Sequence, residues 1–193
     1  MAEPRTDAPS PAGSGLTAPQ RGSILMSVPW RWPLSLLLGA ATVALSAQAA
    51  VPLPFTPVPM TLQGLAVILV GGVLGSAAGA GALGLYLVAG AFGAPVFALG
   101  MGGVAKLLGP TGGYLLAFPL AAALVGRVAQ RGNLLRCAGA ALLGMVTIHV
   151  GGLAQLAILG LPLKRAVALG TAPFVVVDLL KVVLAAGILR WSN

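Results

Sequence analysis

Charged residues are spread so thinly along this chain that the apolar stretches between them define the expected elements. No Asp, Glu, Lys or Arg occurs over residues 32–105, a run of 74 positions. A soluble domain carries about a quarter charged residues, so a stretch of this kind has lipid as its solvent. A membrane-spanning helix needs about 20 apolar residues, which gives the run room for three. Continuing along the chain, the apolar segments predict helices over residues 33–50, 61–75, 77–93, 112–129, 134–159 and 166–190. The expected fold class is all-α: a polytopic membrane protein with about six transmembrane helices.

The punctuation supports that division. Pro52, Pro54, Pro57 and Pro59 alternate between the first two helices; each lacks a backbone donor and disfavours helix in the residue before it. An extended loop is expected there. Gly71, Gly75 and Gly79 recur at every fourth position, as do Ala80 and Gly84, a spacing that lets helix backbones approach closely in lipid. A Gly-rich loop over 93–113 precedes the fourth helix. Trp30, Trp32 and Trp191 fall at the outer margins of the first and last helices, where aromatic rings favour the membrane interface. Residues 1–25, rich in Pro, Ala, Ser, Gly and Thr, read as a disordered tail before a membrane-embedded domain over 26–193. Ala47-Gln48-Ala49 imitates a signal-peptide cleavage site. The apolar run is long for a signal, and Pro52 and Pro54 give it another reason to stop, so a retained first helix is expected.

Composition changes the picture in two ways. The net charge of +8 invites a nucleic-acid reading, yet the bases sit in short segments between apolar runs, where topology rules place them. With the N-terminus cytoplasmic, Arg5, Arg21, Arg31, Arg127, Arg131, Arg136 and Arg190 lie inside. Lys106, Lys164 and Arg165 lie outside. This bias predicts both termini in the cytoplasm and puts the Pro loop and the Gly-rich loop together on the outer face. The acids are Glu3, Asp7 and Asp178, too few to assemble a nucleophile, base and acid, so catalysis is not expected. Cys137 is the single cysteine, which excludes an internal disulfide and a multi-cysteine metal site; it reads as packing. No metal site and no cofactor are expected.

Asp178 and Lys181 are the outstanding candidates. Three residues apart, they share a face of the last helix. Charge in a membrane segment is costly and marks a substrate path or a cavity; the alternative is an internal salt bridge that locks helices together. The loop containing Gly102, Gly103, Thr111, Gly112, Gly113 and Tyr114 is the second candidate, because its glycines permit close backbone approach to a ligand and it opens a helix whose N–H groups favour an anion. A plain turn is the competing reading. No G-x-x-x-x-G-K-[ST] occurs, so the chain does not hold ATP by a P-loop. His149 stands alone in an apolar helix without metal-ligand spacing, and a structural hydrogen bond is its expected role.

Two segments, Pro52-Leu-Pro-Phe-Thr-Pro-Val-Pro-Met-Thr-Leu-Gln63 and Leu108-Gly-Pro-Thr-Gly-Gly-Tyr-Leu115, with Asp178-x-x-Lys181 following, resemble the signature segments of BioY. That family is the substrate-binding component of energy-coupling factor biotin transporters, and the resemblance covers about residues 30–190. It implies a multi-pass plasma-membrane protein that binds biotin near its outer face. It also implies partners, a transmembrane coupling protein and a pair of ATP-binding-cassette ATPases. Ala40 and Ala44 fit the family's Ala-x-x-x-Ala contact for the coupling protein. The ligand suits the residues: Asp178 can accept ureido N–H bonds, a Lys ammonium or loop amides can meet the carboxylate, and Tyr86, Phe92 and Tyr114 could pack the apolar ring. Thr56, in the Pro loop, is expected to belong to a gate over the site. The alternative is a self-sufficient secondary transporter with Asp178 as proton carrier, and a structural membrane protein without a small ligand is a third.

Overall fold

The computed structural model describes residues 30–129 and 133–192. The tail expected over 1–25, and Arg5, Arg21 and Arg131 of the topology count, lie outside the described residues. Helices dominate: α1 (Arg31–Gln48), α2 (Gln63–Leu74), α3 (Ser76–Ala91), α4 (Val104–Leu108), α5 (Gly112–Val128), α6 (Leu134–Ile158), α7 (Leu163–Gly170) and α8 (Val175–Ser192). The six expected helices correspond to α1, α2, α3, α5, α6 and α8. By length and composition, α6 and the stretch Leu163–Ser192 are each able to cross a membrane.

Sequence chemistry sets the helix ends. Asn133 caps α6, its side chain accepting from the Arg136 N–H at 2.9 Å, the usual N-cap arrangement. At the other end, Gly160 has φ +89°, and the N–H groups of Gly160 and Leu161 donate to the carbonyls of Ala157 and Leu156, a Schellman turn closed off by Pro162. The Pro loop is pinned at its base by two short antiparallel strands, β1 (Ala50–Val51) and β2 (Met60–Thr61). Gly75 alone links α2 to α3, at φ +82°.

One expectation needs correction. The last helix was expected to run unbroken over 166–190, but it is divided by a 3₁₀ turn over Ala172–Phe174 into α7 and α8. Pro173 has no N–H to offer the Leu169 carbonyl four residues back, and its ring opposes a continuing helix. Two hydroxyls from elsewhere attend to the exposed carbonyls. Thr56 Oγ1 donates to Leu169 O at 2.7 Å, and Tyr114 OH donates to Gly170 O at 2.7 Å.

Packing centres on α5, which lies against α6, α3 and α2, while α8 covers α6 and α2, and α1 covers α3 and α2. Small residues make this possible. A side chain at Gly71 would collide with the Ala122 backbone, and one at Gly126 with the backbone at Gly75 and Ser76. Gly113 and Gly151 bring α5 and α6 together in the same way. Two buried clusters result. One gathers Val43, Val67, Leu83, Tyr86, Phe97 and Phe118 among others. The other joins Ile68, Val125, Cys137, Met145, Val182 and Leu189. Large apolar side chains such as Leu45, Leu135, Val176 and Trp191 face outward, as lipid-facing positions do.

Candidate functional site

The break between α7 and α8 brings the polar residues together. Asp178 stands in the first turn of α8 and is buried with Lys181 one turn on. One carboxylate oxygen accepts from Lys181 Nζ at 2.8 Å and the other from His149 Nε2 at 2.8 Å. His149, on α6, has its second nitrogen 3.3 Å from Thr171 Oγ1 in the broken segment. With Nε2–H given to Asp178, Nδ1 is free to accept from that hydroxyl. The ring also meets Tyr114 edge-on, with centroids 6.0 Å apart, and Gly152 leaves the room that the Tyr114 ring fills. A chain of bonds thus runs from α6 through the α7–α8 break into α8.

Asp178, Lys181, His149 and Tyr114 line a cavity that also touches Pro59, Thr61 and Gln63 from the Pro loop and α2, Lys106 from α4, Thr111 just before α5, Phe118 within it, and Ile148 and Phe174. The cavity volume is about 80 Å³, several times what one water requires. Among the described residues the buried Thr111 hydroxyl has no hydrogen-bond partner, and an orphan hydroxyl is costly unless something fills the space beside it. Asp178 is the only acid among the described residues and already holds Lys181. The Lys106 ammonium therefore has no carboxylate partner among them, and partial burial lowers its pKa below the ordinary 10.5.

Of the residues singled out in the sequence, the cavity gathers Asp178, Lys181, Thr111 and Tyr114. Gly102, Gly103, Gly112 and Gly113 lie outside its lining. Three are close-packing points: a side chain at Gly102 would strike the Gly93 and Ala94 backbone, one at Gly112 the Leu107 carbonyl and one at Gly113 the Gly151 carbonyl. Gly103 faces open space and instead supplies a left-handed turn at φ +92°. Thr56 lies outside the lining too, holding Leu169. Tyr86 is buried behind the wall, accepting from Gln63 Nε2 at 2.7 Å and donating to Val96 O at 3.2 Å. Phe92 is 90% exposed. Ala40 and Ala44 are half-buried and pack on the chain's own core beside Leu36. Three further cavity residues carry no pattern in the sequence that marks them as site residues. Gln63 is the buried polar residue of an otherwise apolar α2, Lys106 is the first base after the long uncharged run, and His149 both makes the structural bond expected of it and lines the cavity.

A bundle of apolar helices around an end cavity lined by a carboxylate, two ammonium groups and an imidazole has the build of a membrane protein that holds a small polar solute. Residues 26–192 match the BioY family. The chain belongs to that family. It is 38% identical over 151 residues to the biotin transporter BioY of Thermotoga maritima, covering 77% of this chain and 88% of the relative. It is 37% identical over 171 residues to the biotin transporter BioY of Rhodobacter capsulatus, covering 80% and 88%. Among solved structures it resembles the S-component for biotin from an ECF-type ABC transporter, with TM-score 0.75 and 26% identity over 84% of this chain and 90% of that one.

Proposed function

We propose that this protein takes up biotin across the plasma membrane as the substrate-binding subunit of an energy-coupling factor transporter, powered by separate ATPases through a coupling protein. The observation that carries the reading is the composition of the cavity. Asp178 supplies an anionic acceptor with lone pairs left over after two bonds, which a ureido group with two N–H donors requires. Lys106, without a carboxylate of its own, supplies the charge for the ligand's carboxylate. Leu115, Phe118, Ile148 and Phe174 offer apolar contact for a thiophane ring, and the orphan Thr111 hydroxyl gains a partner on binding.

Biotin titrated into detergent-purified protein tests the reading. Saturable binding that desthiobiotin, sharing the ureido group and the carboxylate, competes away is the expected result; no heat and no competition would sink it. The two donors on Asp178 support a positioned acceptor over a proton carrier, which must release its proton in transit. Uptake that survives loss of ATP and collapses with a protonophore would restore the secondary-transporter reading.

The assignment extends to placement. Both termini face the cytoplasm and the Pro loop faces outward, so Phe55→Cys in a Cys137→Ala background labels from outside with a membrane-impermeant maleimide. The coupling protein docks along α1, where Ala40 and Ala44 keep the helix slim beside the exposed Leu37, Leu38 and Leu45.

A further inference from the structure

The helix α7 carries a feature that ligand capture leaves unused. Its buried residues are Ala166 and Gly170, while Lys164, Arg165 and Val167 are exposed. No carboxylate pairs with either base among the described residues, and the chain offers them no acid there except Asp178, which is already engaged. Apolar side chains flank the pair: Ile158 is 79% exposed, Leu163 66% and Leu159 45%. Position adds to this. The 25 residues of α6 extend about 38 Å, longer than the hydrocarbon core of about 30 Å, so the Schellman turn and α7 emerge at headgroup level. A short helix with exposed apolar residues beside two unpaired cations suits an interface with anionic lipid.

The far end of this helix is tied to the cavity. Its Leu169 and Gly170 carbonyls take the Thr56 and Tyr114 hydroxyls, and Thr171 just beyond meets His149. We propose that α7 is an interfacial helix whose Lys164 and Arg165 hold the headgroup of an anionic phospholipid, and that this contact steadies the segment that walls the cavity. Each cation near an anionic surface strengthens association about five-fold, so Lys164→Gln with Arg165→Gln should weaken it about twenty-five-fold.

The test uses the full chain in nanodiscs of phosphatidylcholine alone or with phosphatidylglycerol, and needs no ligand in the cavity. Native mass spectrometry after detergent release should find phosphatidylglycerol retained by the wild type and lost from the double variant. Amide exchange over residues 163–174 should slow several-fold when phosphatidylglycerol is present, and only in the wild type. Equal retention by both proteins, or exchange indifferent to lipid, would overturn the proposal. So would displacement by millimolar inorganic phosphate, which would mark a plain anion site. Lys164→Arg keeps the charge and should behave as wild type; if it fails like the double variant, lost packing and not lost charge is responsible.

Discussion

The two buried clusters occupy the same bundle and are built on opposite terms. Around Ile68, Val125, Cys137 and Leu189, helices meet through small residues: Gly126 lies against the Gly75–Ser76 backbone, Gly72 against Leu189 and Gly144 against Val125. Around the cavity, loops, a five-residue helix and the broken α7–α8 segment close over the ends of α2, α5 and α6, and polar bonds tie these pieces together: Thr56 to Leu169, Tyr114 to Gly170, His149 to Asp178 and Thr171. The difference teaches what each region can lose. In lipid no hydrophobic effect draws helices together, so close van der Waals fit carries the first region. The second holds its shape through a few directed bonds in a medium where an unpaired polar group is expensive.

The largest expected effect breaks the polar region at its centre. Asp178→Ala leaves Lys181 buried and unpaired, and losing one member of a buried pair costs about 3 to 5 kcal/mol. Thermal melting in detergent should show the loss, along with loss of biotin binding. Asp178→Asn combined with Lys181→Met removes both charges and should restore most of the melting temperature without restoring binding. If the double variant binds as wild type, the pair is only a structural lock. The converse test falls on the small-residue region. Gly71→Ala or Gly126→Ala forces a methyl into neighbouring backbone and should cost about 1 to 3 kcal/mol, with the folded fraction binding biotin at unchanged affinity. A changed affinity there would erase the contrast.

Lys106→Met should weaken biotin binding by about 1.5 to 3 kcal/mol, the range for a hydrogen bond to a charged group, while leaving the melting temperature in place. Because partial burial lowers the Lys106 pKa from its usual 10.5, its charge is shed at less alkaline pH than a free lysine's. Biotin affinity should therefore be full below that pKa and fall as pH rises through it. Lys106→Arg, charged throughout that range, should flatten the profile. An unaltered profile in the arginine variant would move the titrating group elsewhere. The smallest effect is expected from Thr56→Val, which removes one neutral bond worth about 0.5 to 1.5 kcal/mol and should raise the dissociation rate of biotin in stopped-flow displacement more than it lowers stability. Equal rates in the two proteins would mean the Pro loop does not hold the site shut.

Much of this contrast was legible in the chain. Of the glycines at every fourth position, Gly71 and Gly79 do meet at close range between α2 and α3, but Gly75 is the turn joining those helices and Gly84 packs against nothing. Two charges in an apolar run announced the buried pair, a local signal improbable by composition. The rest depended on folding. His149 had no neighbour of metal-ligand or catalytic type along its own helix; its partner lies 29 residues on and arrives only when α6 packs on α8. Tyr86 could be read as a ring for the ligand, yet its hydroxyl turns to Gln63 and Val96, which no spacing rule foretells. The helix break had a signal, Pro173 within a helical pattern, but unbroken apolarity on either side masked it.

That break also sets how the chain tolerates changes of length. An unbroken helix over the 30 residues Leu163–Ser192 would run about 45 Å, half as long again as the hydrocarbon core of about 30 Å. The turn at Ala172–Phe174 divides the surplus from the span. A residue inserted or deleted in the Leu159–Pro162 connection is taken up before α7, and the turn stands between α7 and the span. The same change between Val175 and Asp178 turns the carboxylate about 100° around the helix axis, away from His149 and into lipid. Natural and engineered length variation should accordingly collect before the turn and be absent from the first turn of α8.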